Sequence, residues 1–427
     1  MMNIFWFILY NGIIYPIIII AAFFFSIFSA KMREGLVGRF QTINKLKNYL
    51  NNNDIKDDIY WFHVASLGEF YQIKPILEGL KKDKKYNVNF VSFSSPSGMN
   101  HAISDAIDLK FYLPFDFPWS IQKVLRLVKP KKIIFSTYDV WPNFLWISKV
   151  EKINLSIISA KIEKHSIKFK PGLLNFYKMI YRLFDTIYTI TKEDEKRFRK
   201  IIGTHKKPII SSLGNPRFDT IYNNAKELLD HNLPLLERKQ IIIVGSSHSK
   251  DDYHLIPALS NLIINFPKLR IIHAPHEPSK KEIKKIQNSY LKFGYDSIVL
   301  YDIDSVQFSS DQIVIIGEVG FLANLYWSSI ITYIGGGFST GIHNIMEPAI
   351  ASNPVIFGPK YQKFNEAEQI LRLGGGFCVH DSQSIEKIFS KLLKSNNLLK
   401  KAGNASLNLI TNNIDSSDKV INGIILD

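Results

Sequence analysis

A single cysteine, Cys378, stands in 427 residues, which excludes an intrachain disulfide and fits a reducing compartment. No Cys/His group has metal-ligand spacing, so the sequence predicts no metal site. There is no Walker A loop and no G-x-G-x-x-G, which removes the common signatures of ATP and dinucleotide enzymes. Internal repeats and low-complexity tracts are missing too. With 46% hydrophobic residues the chain can fill sizeable cores, and its length predicts two domains of ordinary size.

Charge is missing altogether from Ile4 to Ala30, a run dominated by Ile, Phe and Ala. As a helix these 27 residues reach roughly 40 Å, enough to cross a bilayer with some tilt. Pro16 is expected to kink it. Phe28 occupies a position where a signal-peptide cleavage site needs a small residue, and no basic segment precedes the run, so an uncleaved anchor is expected. Lys31, Arg33, Arg39, Lys45 and Lys47 follow, which by the positive-inside rule keeps everything after the anchor cytoplasmic. A span is the first expectation and a helix lying in the interface the second.

What is present in excess is positive charge, a net +15, and it is unevenly placed. Residues 241–427 hold 17 Lys+Arg and 17 Asp+Glu; residues 1–240 hold 36 against 21 and carry the whole excess. A basic first half suits nucleic acid, an anionic membrane surface or a phosphorylated substrate, and the apolar N-terminus selects the last two over nucleic acid.

From about residue 59 short apolar runs alternate with helical stretches. The expected strands are 59–65, 88–93, 109–113, 132–136, 155–159, 186–190 and 209–213, then 241–245, 269–274, 297–301, 312–316, 330–334 and 354–357. Such an alternation predicts an α/β protein with two doubly wound Rossmann-like domains facing a cleft, residues 31–230 and 231–427, behind an anchor at 1–30. The last helix is a candidate for packing back on the first domain.

Several strands end in polar, glycine-containing turns. Ser66-Leu67-Gly68-Glu69 puts a carboxylate at a helix start, where it is either a general base or an acid favoured by the helix dipole. Asp139 precedes Val140-Trp141-Pro142-Asn143 and is either a second functional carboxylate or a helix cap. Arg217, in Gly214-Asn215-Pro216-Arg217-Phe218-Asp219, suits an anionic substrate. In the second half, Ser246, Ser247 and His248 offer hydroxyls and amides at a helix start for a phosphate or carboxylate. Pro275-His276 and Gly317-Glu318 end further strands. The richest stretch runs from Gly335 through Gly336 and Gly337 to Asn344, Ile345, Met346 and Glu347, with Glu347 placed to accept hydrogen bonds from a ribose diol.

Two such domains, with nucleotide groups on the second and a carboxylate on the first, describe a GT-B-type glycosyltransferase. The ordered motifs resemble one family, the 3-deoxy-D-manno-octulosonic acid (Kdo) transferases of lipopolysaccharide synthesis. The resemblance covers Arg33-Glu34-Gly35-Leu36-Val37-Gly38-Arg39, the turns at Ser66–Glu69, Asp139–Asn143, Gly214–Asp219, Ser246–His248 and Gly317-Glu318, and residues 335–359 with 363–367. It implies inverting transfer of Kdo from CMP-Kdo to a lipid A precursor of the lipid IVA type at the cytoplasmic face of the inner membrane, with no metal and no cofactor, CMP-Kdo being a substrate. It further implies Glu69 as catalytic base and Asp139 and Arg217 as stabilisers of the transition state. Pro275, His276, Gly317, Glu318 and Asn344 through Glu347 are the donor contacts it implies, and Ser246, Ser247, His248, Gly336 and Gly337 join them from the reading of the turns. Arg33 and Arg39 are candidates for the acceptor phosphates. The sequence departs from the commonest family pattern in Thr137-Tyr138-Asp139 and Pro275-His276-Glu277, variants that look like the Bacteroidetes branch. The alternatives are a GT-B transferase using a UDP-sugar on another membrane lipid, a GT-B-fold sugar-nucleotide epimerase, and a membrane-tethered binding module without chemistry.

Overall fold

A computed structural model describes residues 4–82, 87–203, 207–302 and 312–426. The chain divides into two compact units, Met1–Thr220 with Asp415–Asp427, and Ile221–Ile414. The division falls inside the helix Arg217–His231.

The first unit is a seven-stranded sheet in the order β3-β2-β1-β4-β5-β6-β7. Its strands are β1 Asp58–Val64, β2 Asn87–Phe93, β3 Leu109–Tyr112, β4 Lys132–Ser136, β5 Asn154–Ala160, β6 Thr186–Thr189 and β7 Ile209–Ser212. The second unit repeats the scheme as β10-β11-β9-β8-β12-β13-β14. These strands are β8 Ile241–Ser247, β9 Arg270–Pro275, β10 Ile298–Leu300, β11 Ile313–Ile316, β12 Ile331–Ile334, β13 Val355–Phe357 and β14 Gly376–Cys378. All neighbours pair parallel. Every expected strand is found, and β14, three residues long, is additional. Strands such as Ile241–Val244 and Ile133–Phe135 are buried along their length, as a sheet covered by helices on both faces requires.

Strand order reverses at one point in each sheet: between β1 and β4 in the first, between β8 and β12 in the second. There the connecting helices depart to opposite faces, leaving an opening beyond the carboxyl ends of the strands where ligands of doubly wound folds bind.

The apolar N-terminal run is helical from Ile4 to Leu9, forms a π turn over Tyr10–Ile14, and continues from Tyr15 to Phe28. Pro16 has no N–H to give the carbonyl one turn back, and the wide turn before it absorbs that loss. Among the described residues this is the one helix long and apolar enough to cross a membrane. One face of it is fixed to the first unit. The Tyr10 hydroxyl donates to Asp116 Oδ2 at 2.9 Å, the Asp116 amide donates to the Tyr15 hydroxyl, and Asn11 and Asn143 exchange hydrogen bonds at 3.0 and 2.8 Å. Trp6 packs on Phe176 and Phe7 on Trp146. The other face exposes Ile4, Ile8, Ile17, Ile20, Phe24 and Phe28.

The final helix, Ser416–Leu426, belongs to the first unit. It buries Val420, Ile421 and Ile424 against Tyr60, Phe62 and Phe70, and the Ile424 carbonyl accepts from the buried Lys132 ammonium at 2.8 Å.

Candidate active site

In the first unit Glu69 and Asp139 follow the two strands that flank the reversal. Glu69 lies in the first turn of the helix Leu67–Lys82 and is buried. Its carboxylate reaches back to accept from the Ala65 amide, a capping role that the sequence reading did not assign to it. Capping does not set its proton affinity, however. Burial dominates, the Ala65 hydrogen bond opposes it, and the charge of Asp139 adds to it, leaving the pKa raised from 4.5 to about 7.

Asp139 has the opposite balance. Burial pushes its pKa up, but the His63 hydrogen bond and charge and the Ser94 hydrogen bond outweigh it, and the net direction is down. His63 is fully buried on β1, with Nε2 3.0 Å from Asp139 Oδ2 and Nδ1 2.9 Å from Ser92 Oγ. Ser94 Oγ donates to the same carboxylate oxygen at 2.7 Å. Asp139 therefore does not cap the helix Pro142–Val150. Asp116 does that from another loop, accepting from the Asn143 and Phe144 amides at 3.1 and 2.8 Å. Two carboxyls at one switch point, one proton-binding near neutrality and one held ionised, form the pattern that divides acid–base and electrostatic roles.

Arg217 starts the helix that follows β7, at the edge of the sheet. Thr220, one turn on, donates to the Tyr71 carbonyl at 2.8 Å, which brings the start of that helix to the start of the helix bearing Glu69. Gly214 has φ +96°, and a Cβ there meets Ser416 Oγ at 2.2 Å. Asp219 accepts from the Asp415 and Ser417 amides at 2.6 and 2.8 Å, so this motif also holds the last helix.

Arg33 and Arg39 also bind backbone carbonyls near them. Arg33 donates to the Ser26 and Ile27 carbonyls at 2.9 and 3.0 Å, closing the C-terminus of the apolar helix. Arg39 donates to the Leu113 and Ser94 carbonyls and lies over the Trp141 ring. Both guanidiniums are engaged with backbone that sequence reasoning left out of account.

The second unit gathers its polar turns at the ends of β8, β9, β11 and β12. Asp251, absent from the sequence expectation, organises them. Fully buried, it accepts from the His248 amide at 3.0 Å, the Gly336 amide at 2.9 Å, the Tyr333 hydroxyl at 3.0 Å and the Phe338 amide at 3.3 Å. Gly335 lies so close to β8 that a Cβ there meets Ser246 O at 2.2 Å, and Gly337 is similarly pressed on Gly358. The triplet is thus a packing device that brings two strand ends together. Ser247 is buried and bonds His273, rather than opening to a ligand. Pro275, Ile345 and Met346 are buried as well, so their side chains serve the core. Asn344 Nδ2 donates to Glu347 Oε1 at 2.7 Å and Asn344 Oδ1 accepts from the Met346 amide, leaving both side chains half-buried at the strand ends. Glu318 is exposed beyond β11, after Gly317. His248, His276 and His343 converge, with ring-centroid separations of 4.8, 5.1 and 4.3 Å. Clustering and burial lower the His343 pKa to about 4, burial being the larger cause, and move that of His276 down as well.

Two doubly wound units, each with its polar turns at the strand reversal, define the GT-B fold. Comparison with known proteins specifies it further. Residues 34–220 match the model of the 3-deoxy-D-manno-octulosonic-acid transferase (kdotransferase) family. A 3-deoxy-D-manno-octulosonic acid transferase of Chlamydophila psittaci is 28% identical over 346 residues, 78% of this chain and 77% of its own. One from Aquifex aeolicus is 26% identical over 354 residues, 82% and 90% of the two chains. Among solved structures, the UDP-GlcNAc 2-epimerase from Neisseria meningitidis superposes with a TM-score of 0.61 at 13% identity, over 87% of this chain and all of its own. At that identity the likeness concerns the fold alone. The chain is thus similar to Kdo transferases, by the family model over its first unit and by these relatives over most of its length.

Proposed function

We propose that the protein transfers Kdo from CMP-Kdo to a lipid A precursor, inverting the anomeric centre, with Glu69 as general base. The observation that carries the mechanism is the Glu69 carboxyl at the β1/β4 switch point, with its pKa raised to about 7. A base of that strength is half ionised near neutral pH and can take the proton of an acceptor hydroxyl as it attacks, an effect of about 10²–10⁴-fold. Asp139, kept ionised by His63 and Ser94, and the Arg217 cation supply fixed charge for the reacting groups. The turns at the ends of β8, β9, β11 and β12 are the proposed CMP site: amides around Ser246 and Gly336, the His276 ring, Glu318, and the Asn344–Glu347 pair for the ribose.

Membrane attachment is part of the proposal. Tyr10, Asn11 and Tyr15 are bound to the first unit, which supports the second of the two expectations. That form is a monotopic helix whose free apolar face lies in the cytoplasmic leaflet of the inner membrane. Arg33 and Arg39 stay the proposed contacts for the acceptor phosphates, with the wider basic surface of residues 1–240 around them.

The test is incubation of the full chain with CMP-Kdo and a tetra-acylated lipid A precursor, read by mass spectrometry. A product heavier by one or more Kdo units is expected, and none from UDP-sugars. Turnover of a UDP-sugar but not of CMP-Kdo overturns the donor assignment.

A further inference from the structure

We infer that His248, His276 and His343 form a binding site for a divalent transition-metal ion of the Zn²⁺ type. The three rings come from loops after three adjacent strands, β8, β9 and β12, and one ligand nitrogen from each lies within 4.8 Å of the others. Nε2 of His248 and Nε2 of His343, 95 residues apart in sequence, face each other at 2.8 Å. Two ring nitrogens so aimed share one proton, and a metal ion can take that proton's place. A tetrahedral ion with Zn–N bonds of about 2.0–2.1 Å needs its ligand nitrogens about 3.3 Å apart. The His248–His343 pair must then open by about half an ångström, and His276, exposed and turning about its side-chain bonds, must close by rather more.

The backbone that carries the rings is already fixed. The His248 amide is held by Asp251, the His276 amide donates to Ser247 O at 2.9 Å, and the His343 amide donates to Gly335 O at 3.1 Å. The cost of ordering three loops on the ion is therefore already met by the fold. A cavity of about 250 Å³ opens beside His248 and His276, lined also by Ser247, Glu277 and Glu282, and admits a water or the Glu277 carboxylate as fourth ligand. Three imidazoles select Zn²⁺, Co²⁺, Ni²⁺ and Cu²⁺ over Mg²⁺ and Ca²⁺, which prefer oxygen. The site adds no step to the proposed transfer and does not depend on the identity of the donor.

Titration calorimetry of the full chain, stripped with EDTA and kept in detergent, tests this with Zn²⁺ alone. One equivalent binding with a micromolar or tighter Kd is expected, with no heat from Mg²⁺ and with intense visible absorption when Co²⁺ replaces Zn²⁺. His276→Ala, at an exposed position where folding is not at stake, should weaken binding at least tenfold, and so should His343→Ala, whereas His101→Ala should leave it unchanged. Absence of saturable Zn²⁺ binding, or binding that survives His276→Ala together with His343→Ala, overturns the inference. Neither result touches the Kdo-transfer assay, so the two readings fail separately.

Discussion

Glu69→Gln separates activity from stability in a direction the structure specifies. The Glu69 pKa is raised from 4.5 to about 7, mainly by burial. Between those two values the native state holds a proton that the unfolded chain has released, so stability falls as pH rises and levels off above 7. A shift of about 2.5 units corresponds to about 3 kcal/mol. Gln keeps the shape and carries no charge to desolvate, though its amide can still accept from Ala65 with one oxygen. At pH 8 the variant should therefore melt higher than the parent by several degrees, and at pH 4.5 the difference should vanish. Activity goes the other way. In the parent, kcat/KM should climb about tenfold per pH unit below 7 and flatten above it, and Glu69→Gln should lower it by at least a hundredfold at pH 8 and abolish the acid limb. The assay is initial-rate kinetics and thermal melting on the same preparations from pH 4.5 to 8.5. A flat rate profile across pH 6 to 8, or a Gln variant less stable than the parent at pH 8, refutes the reasoning.

Asp139→Asn removes a negative charge beside Glu69, so the acid limb of the rate profile should move to lower pH, by about one unit or less because burial remains the larger cause. Asp251→Ala strips four donors, two of them buried, of their acceptor and should cost about 3–5 kcal/mol, with CMP affinity by calorimetry falling more than tenfold. Asp116→Ala frees the amides of Asn143 and Phe144 and the Tyr10 hydroxyl together, and limited proteolysis should then cut near residues 10–30 in detergent. Gly335→Ala places a methyl 2.2 Å from Ser246 O and should lower melting temperature and CMP binding in parallel.

Strand positions and the doubly wound class were legible because buried parallel strands are written as uninterrupted runs such as Ile241–Val244, each followed by a turn. β14 was not, since Gly376-Phe377-Cys378 is too short and mixed to stand out. Glu69 and Asp139 were legible as carboxylates after strands, yet what distinguishes them is tertiary: His63 and Ser94, on β1 and after β2, decide the state of Asp139. Asp251 carries no local signal, being one acid among several at a helix start. The Arg33 and Arg39 assignments rested on charge, and only the fold shows which carbonyls those side chains reach. The histidine cluster escaped the spacing test because its members are brought together by sheet order rather than by neighbourhood in sequence. The expected helix over the apolar run was found, but its polar members, Tyr10, Asn11 and Tyr15, mattered more than its hydropathy.

The last helix has a consequence for synthesis. Residues 221–414 are made between the sheet of the first unit and the segment 415–427 that completes it. At about 5–20 residues per second the ribosome leaves that sheet waiting roughly 10–40 s for Val420, Ile421 and Ile424, with the slot lined by Tyr60, Phe62 and Phe70 uncovered. The apolar N-terminal segment, Ile4–Phe28, is made well before that interval begins. The first unit therefore closes only after the whole of the second has been made.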